Sequence, residues 1–383
     1  MRHYLDANAS EPLRPEARAA VLAALAEPGN PASVHADGRA ARRILEDARE
    51  AIARAFGASP AGVVFTSGAT EANALALHAF APGRRIIVGA TEHDSVRAAA
   101  PDAHRLPVDR DGVADLDALA VLLADAPALV ALMAANNETG TIQPIAAAAA
   151  LCRRFGAWLH VDAVQAAARG EVDLAGLGAH SLALSGHKLG GPMGAGALLL
   201  GPDAPAPRPL LPGGGQERGW RAGTPPLPAI AGFAAAVRAA AAVPADTPDR
   251  LAGLRLVIER AAVGAGAVVC GAGAPRLANT TCLALPGVRA DAQVIALDLA
   301  GIAVSAGAAC SSGKVTASHV LAAMGLGPLA SQAIRVSLPW NASAADAAAF
   351  ADAYPRIAAR LRAALATPAP ASLTPASLAS AAA

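Results

Sequence analysis

A lysine and an aspartate stand where two strand-like runs end: Lys188 in Ser185-Gly186-His187-Lys188, and Asp162, 26 residues earlier, in His160-Val161-Asp162-Ala163-Val164-Gln165. A primary amine can hold an aldehyde as a Schiff base. A buried carboxylate keeps a pyridine nitrogen protonated, and the pyridinium draws electrons from a carbanion. Together they suit pyridoxal phosphate, with Asp162 at the ring nitrogen and Gln165 in reach of the phenolic oxygen. Lys188 would hold the cofactor and, once displaced, move a substrate proton. An aspartate that merely caps the next helix and a lysine on a surface loop are the plain alternatives, but the first leaves Lys188 out of account.

Other chemistry-bearing residues lie at similar junctions. Thr66-Ser67-Gly68-Ala69-Thr70-Glu71-Ala72-Asn73 follows a strand-like run and opens a helix. The N–H groups at Ala69 and the Thr70 hydroxyl offer a phosphate cradle at the positive helix end; Ser67 or Thr70 acting only as a cap is the alternative. His93, in Thr91-Glu92-His93-Asp94-Ser95, has a flat imidazole that could stack on a pyridine ring and exchange a proton, or be a solvated loop histidine. Asn137, within Asn136-Asn137-Glu138-Thr139-Gly140, sits in a turn or binds a cofactor oxygen or a substrate carboxylate. Ser185 and His187 offer further phosphate donors. Arg335, alternating with apolar residues over 333–338, could project from a strand as a carboxylate clamp or join a surface ion pair.

Cys310 occupies a loop of small residues, Ser305-Ala306-Gly307-Ala308-Ala309-Cys310-Ser311-Ser312-Gly313. With an ordinary thiol pKa of about 8.5, some thiolate is present at neutral pH, and an accessible loop lets it meet a bound substrate. Cys152, Cys270 and Cys282 lie in apolar helix or strand patterns and read as small hydrophobes. None of the four has metal-ligand spacing.

The elements that must position these groups have an α/β pattern between about 60 and 201, where strand candidates at 63–65, 85–88, 129–133, 158–161, 181–184 and 197–200 alternate with helical segments. Ligand-binding residues of open α/β sheets gather at one edge, which is where the candidates fall. The 383 residues are enough for a large domain with a smaller partner. We expect a cofactor-binding domain over 13–247 and a small domain made of 1–12 with 248–366. Residues 213–218 read as an extended loop, and the uncharged tail 367–383 as disordered. Apolar residues make up 54% but aromatics only 3%, so the core must be Leu, Val, Ile and Ala. A formal charge of +1 gives no general attraction to nucleic acid or an anionic membrane. The charged start lacks a secretory pattern, which leads us to expect a cytoplasmic protein.

Taken in order from Tyr4-Leu5-Asp6 to Leu338, these motifs resemble the cysteine desulfurases of the pyridoxal-phosphate, class V aminotransferase family. The most specific stretches are 29–35, 65–71, 136–140, 160–165, 185–190, 213–224 and 295–312. The resemblance implies a fold type I transferase: an α/β large domain with a seven-stranded, mainly parallel sheet plus a small α+β domain. It implies that Lys188 carries pyridoxal 5′-phosphate, that His93 stacks on its ring, and that Asp162 and Gln165 bond the ring nitrogen and phenolic oxygen. Thr70, Ser185 and His187 would hold the phosphate, with Thr224 reaching across from the other subunit of a homodimer. Asn137 and Arg335 would bind the carboxylate of L-cysteine.

The implied reaction yields L-alanine and leaves the sulfur on Cys310 as a persulfide, normally for an acceptor in iron–sulfur cluster, thiolated tRNA or cofactor synthesis. Another pyridoxal-phosphate reaction, such as transamination or selenocysteine cleavage, and a non-catalytic sulfur-relay partner are the competing readings. Retention of Lys188, Asp162, His93 and Cys310 together argues against the last. The chain departs from many relatives at Asp6-Ala7-Asn8-Ala9-Ser10-Glu11-Pro12, where Asn-Ala-Ala-Thr-Thr-Pro often follows the aspartate, and at Met133-Ala134-Ala135, where a histidine often stands, both touching the site edge. It departs also at Leu338-Pro339-Trp340 in place of a Gly-Arg pair, and in a tail without a scaffold-docking sequence.

Overall fold

The computed structural model describes residues 2–170, 172–307 and 317–366. After a short first strand, β1 (His3–Tyr4), come β2 (Val63–Thr66), β3 (Arg85–Gly89), β4 (His104–Leu106), β5 (Ala128–Met133), β6 (Trp158–Asp162), β7 (Ser181–Ser185) and β8 (Gly196–Leu200). The last seven form one sheet in the order β2-β8-β7-β6-β5-β3-β4. All neighbours in it are parallel except β8, which runs against both β7 and β2. Strands such as β5 and β7 are buried at every residue because helices cover both faces.

One face carries Phe65, Val130, Val161 and Leu184 against helices that include Ala36–Ala55, Ile145–Arg154 and Leu227–Ala241. On Ala36–Ala55, Ala41, Leu45, Ala48 and Ile52 recur at helical spacing and are buried. The other face carries Val64, Leu129 and Ala183 against Ala72, Leu75, Ala76 and Phe80 of the helix Ala69–Phe80. Six of the seven strands match the expected runs to within a residue at each end. The seventh, β4, is new: it is a three-residue edge strand whose His104 and Arg105 are exposed, so it has no apolar run to betray it.

Beyond the sheet follow β9 (Val268–Cys270), β10 (Thr280–Ala284), β11 (Ile302–Ala303), β12 (Ser305–Ala306) and β13 (Ala333–Ser337). Four of these make an antiparallel sheet, β12-β13-β10-β9, while β11 pairs in parallel with β1. Leu5 packs with Leu283, Ile334, Phe350 and Tyr354 in a second core, so the chain start is threaded into the C-terminal part. It then crosses to the large sheet, where the N–H of Glu11 donates to the carbonyl of His187 (2.9 Å) and that of Arg14 to Gly190 (2.8 Å). Cys152, Cys270 and Cys282 are buried, as their apolar settings require. No helix among the described residues is long and apolar enough to cross a membrane. The Cys310 loop from 308 to 316 and the tail 367–383 lie outside the described residues.

Gly196 shows how tightly the sheet edge is drawn. It pairs with Thr66 on one side and Ser185 on the other, and a Cβ there would sit 2.6 Å from both the Cα of Gly68 and the carbonyl oxygen of Leu184. The backbone of both neighbours would have to move. Gly196→Ala is therefore expected to lose about 1–3 kcal/mol in denaturant unfolding, and wild-type stability in that variant would disprove this account of the corner.

Candidate active site

Strands β2, β3, β5, β6 and β7 all point the same way, so the segments that leave their carboxyl ends meet at one edge. They enclose a cavity of about 610 Å³. Ala69 and Thr70 reach it from the end of β2, His93 from β3, Asn137 from β5, Asp162 and Gln165 from β6, and Ser185, His187 and Lys188 from β7. Arg335 of β13 and Asn8 of the chain start close it. A roomier hollow of about 780 Å³ beside Arg14, Arg238 and Trp340 holds none of these groups.

Lys188 lies in the short turn Gly186–Lys188 that follows β7. Its Nζ donates to the carbonyls of Asn8 and, at 2.9 Å, Ala9. Burial, helped by the Arg335 guanidinium, lowers its pKa to about 8 against the opposing pull of Asp6 and Asp162. An amine in that range is a usable nucleophile and base near neutrality. Gln165 Nε2 donates to the same Asn8 carbonyl (3.1 Å). His187 has Nδ1 3.3 Å from Ser10 Oγ, and burial followed by the Lys188 charge lowers its pKa to about 4.

Asp162 does cap locally, accepting from the Val164 N–H (3.0 Å) on Oδ1, but Oδ2 accepts from Asn73 Nδ2 (2.7 Å) and the carboxylate borders the cavity. Both roles hold at once. The helix Ala69–Phe80 begins at Gly68 with no side-chain cap; the Ser67 N–H donates instead to Glu71 Oε2 (2.8 Å). The capping alternative for Ser67 and Thr70 thus fails, and the helix start remains a donor site facing the cavity. His93 is exposed yet held: its Nδ1 accepts from the Ser95 N–H (3.1 Å) and lies 2.9 Å from Ser95 Oγ.

Arg335 is an ion-pair partner, but a buried one. Only 2% exposed, it meets Asp6 Oδ1 at 2.8 Å and donates to the Asn137 carbonyl at 3.2 Å, while its buried Nε has no partner. The surface-pair alternative is corrected by the strand pairing that sinks Arg335 opposite Cys282. The paired asparagines divide the work. Asn136 makes the turn, its Oδ1 accepting from the N–H groups of Glu138 and Thr139, and Asn137 borders the cavity.

Two expected residues are not brought in. Thr224 is exposed and does not line the cavity. Its loop is tied down by Glu217, which meets Arg49 through two 2.8 Å bonds and accepts the Phe65 N–H, and by Arg221, 2.7 Å from Glu71. That grip turns the expected extended stretch into a tight turn, Gln216–Gly219, with φ of 43° at Glu217 and 59° at Arg218. Cys310 lies outside the described residues. Its flanks are anchored: the Gly307 N–H donates to the Ala333 carbonyl (3.1 Å) and that of Ser318 to Ala330 (2.8 Å).

Residue-level reasoning missed Asn8, Asn73, Glu92 and Ser95. Asn73 carries a signal, since it stands four residues after Ala69 on the apolar face of its helix, and a buried amide there must have partners. Glu92 is fully buried, with Oε1 accepting from the Met133 N–H (2.5 Å) and Oε2 unpartnered. Burial, then the nearby Asp162, raises its carboxyl well above the usual range. Asn8 carries no such signal in its residue type; the family pattern puts the opening 6–12 at the site edge, and the fold brings its carbonyl to Lys188.

The comparisons with known proteins agree with this geometry. The family model for aminotransferase class V matches residues 3–350. A cysteine desulfurase of Cereibacter sphaeroides is 42% identical, covering 94% of this chain and 97% of its own, and an IscS-like cysteine desulfurase of Mycobacterium tuberculosis is 39% identical over the same shares. The X-ray structure of a NifS-like protein from Rickettsia africae superposes with a TM-score of 0.86 at 32% identity, covering 93% of this chain and 99% of that one. With lysine, aspartate and imidazole gathered at one sheet edge and likeness along nearly the whole length, the chain belongs to the class V aminotransferase family, alongside its cysteine desulfurases.

Proposed function

We propose that the protein converts L-cysteine to L-alanine and keeps the sulfur on Cys310 as a persulfide. The observation that carries this reading is the meeting of the Lys188 amine, with its lowered pKa, and the Asp162 carboxylate in one cavity. The family's cofactor, pyridoxal 5′-phosphate, fits the donor set: an amine for its aldehyde, a carboxylate for its ring nitrogen, and uncapped helix N–H groups for its phosphate. When bound, it supplies an electron sink for charge that develops at the substrate Cα.

The chain's own residues do the rest. Lys188 holds the cofactor and, when freed, takes the Cα proton at Nζ. Asp162 would keep the ring-nitrogen proton, Gln165 would bond the phenolic oxygen, and His93 would stack on the ring. Ala69, Thr70, Ser185 and His187 would hold the phosphate, while Arg335 and Asn137 would orient the substrate carboxylate. Arg335 borders the cavity with its guanidinium held in place by Asp6, which supports that last role. The substrate Cβ–S bond breaks with its electron pair left on carbon, the Cys310 thiolate gains the sulfur, and a proton completes the alanine methyl group. No outside oxidant or reductant is needed.

The reading extends to a large domain over 13–247 and a small one of 1–12 with 248–366, and to a homodimer in which Thr224 serves the partner's phosphate. The exposed, firmly tethered Thr224 loop supports the latter. It also extends to the cytoplasm, where thiols stay reduced, and to a sulfur-acceptor protein such as an iron–sulfur scaffold. The test is incubation with L-cysteine while sulfide and alanine are measured. Cys310→Ala should abolish sulfide release and keep the cofactor's visible absorbance. Unchanged sulfide release in that variant would refute the proposed sulfur route.

A further inference from the structure

Behind the cavity, a continuous set of hydrogen bonds joins the aspartate expected at the cofactor ring to the histidine expected over it. Asn73 is its centre, fully buried. Its Nδ2 donates to Asp162 Oδ2 (2.7 Å) and to Ser95 Oγ (2.9 Å), and its Oδ1 lies 2.9 Å from His160 Nε2. Ser95 Oγ is in turn 2.9 Å from His93 Nδ1, and His160 Nδ1 is 2.8 Å from Ser181 Oγ.

The proton positions follow from what each atom can do. A flipped Asn73 would set its carbonyl oxygen against the Asp162 carboxylate, so the amide has one tenable orientation. Its Oδ1 only accepts, hence His160 carries its proton on Nε2. Burial keeps His160 neutral, with its pKa lowered to about 3, so its Nδ1 must accept from the Ser181 hydroxyl. Ser95 Oγ receives one Asn73 proton on one of its two lone pairs, which favours donation of its own proton to His93 Nδ1. The Ser95 backbone N–H points at the same atom from 3.1 Å. A nitrogen facing two donors cannot carry hydrogen itself.

We propose that Asn73 is a positioning residue that ties Asp162 and His93 into one array and fixes neutral His93 as the Nε2–H tautomer. The free ring nitrogen then offers the cavity a hydrogen-bond donor and no lone pair. His93 in that form cannot compete with Lys188 for the substrate proton. The inference rests on the roles proposed above for Asp162, His93 and Lys188, yet the tautomer itself is a property of the chain alone.

The test is nitrogen-15 NMR of histidine-labelled full-length protein, as purified and after cofactor removal, with the His93 signal assigned by its loss in His93→Gln. Wild type should give the Nε2–H pattern in both states; an Nδ1–H pattern overturns the proposal without any variant. In Asn73→Ala the released Ser95 hydroxyl can accept, so an Nδ1–H population should appear and kcat should fall about a hundredfold with KM for L-cysteine nearly unchanged. Removing that acceptor as well, in Asn73→Ala with Ser95→Ala, should restore the Nε2–H pattern. General damage to the helix would not be undone by a second substitution. Persistence of the wild-type pattern in Asn73→Ala, or failure of the double variant to restore it, would refute the array. A protein without desulfurase activity but with the full NMR sequence would instead overturn the functional reading and leave this one standing.

Discussion

Replacing Lys188 by alanine is expected to leave a protein that binds pyridoxal phosphate only reversibly and to cut alanine formation by about 10²–10⁴-fold. The loss is large because one amine is asked both to anchor the cofactor and to move the substrate proton. Borohydride reduction followed by mass measurement checks the first part: wild type should gain the cofactor mass at residue 188 and the variant should gain none. The lowered pKa adds a pH signature. The folded amine loses its proton near 8 and the unfolded one near 10.5, so the unfolded state binds more protons in between. Lys188 therefore penalises folding of the cofactor-free protein below about pH 8, and the penalty fades as the pH climbs to 10.5. Cofactor-free Lys188→Met should then be more stable than wild type at pH 7, with the gap closing toward pH 10.5. A gap independent of pH over that window would mean that the amine is not held in a desolvated setting.

Glu217→Ala is expected to destabilise the protein by about 3–5 kcal/mol. Arg49 and Glu217 have side chains 4% and 3% exposed, face each other through two bonds, and share the carboxylate with the Phe65 N–H. Truncation strands a buried guanidinium and a buried strand donor together. Arg49 keeps Glu46 at 3.0 Å and the Val63 carbonyl at 2.8 Å, so the protein should still fold. The same carboxylate holds Glu217 and Arg218 in left-handed backbone conformations, so its loss should release the loop that carries Thr224. Urea unfolding reads the stability, and cofactor retention reads the loop. The double variant Arg49→Met with Glu217→Leu should recover part of the stability, since it leaves no uncompensated charge, but not the loop. A Glu217→Ala loss below about 1 kcal/mol would mean that water already screens the pair.

Much of the site was legible because α/β sheets collect functional residues at strand ends, and strand ends are visible as apolar runs followed by polar turns. Lys188, Asp162, His93 and Thr70 were all found in that way. The resemblance then supplied the roles proposed for them. Where the signal was missing, the cause was physical. Strand β4 has one buried residue in three and lies at an edge, so it needs no apolar run. Asn8 acts through its backbone carbonyl, which every residue possesses. Ser95 and Glu92 flank His93 in the sequence, but serine and glutamate in a loop are ordinarily solvated.

The linear sequence by itself determined the α/β layering, the strand ends and the identity of the amine, carboxylate and imidazole, because apolar periodicity and residue chemistry are local properties. Only the tertiary structure decided that Arg335 is buried against Asp6, that Asn8 and Ala9 receive the lysine amine, and that Asn73 links Asp162 to Ser95. These pairs are separated by 329, 180, 179, 89 and 22 residues. Hydrogen bonds and desolvation act over a few ångströms of space, and only packing converts such separations along the chain into contacts.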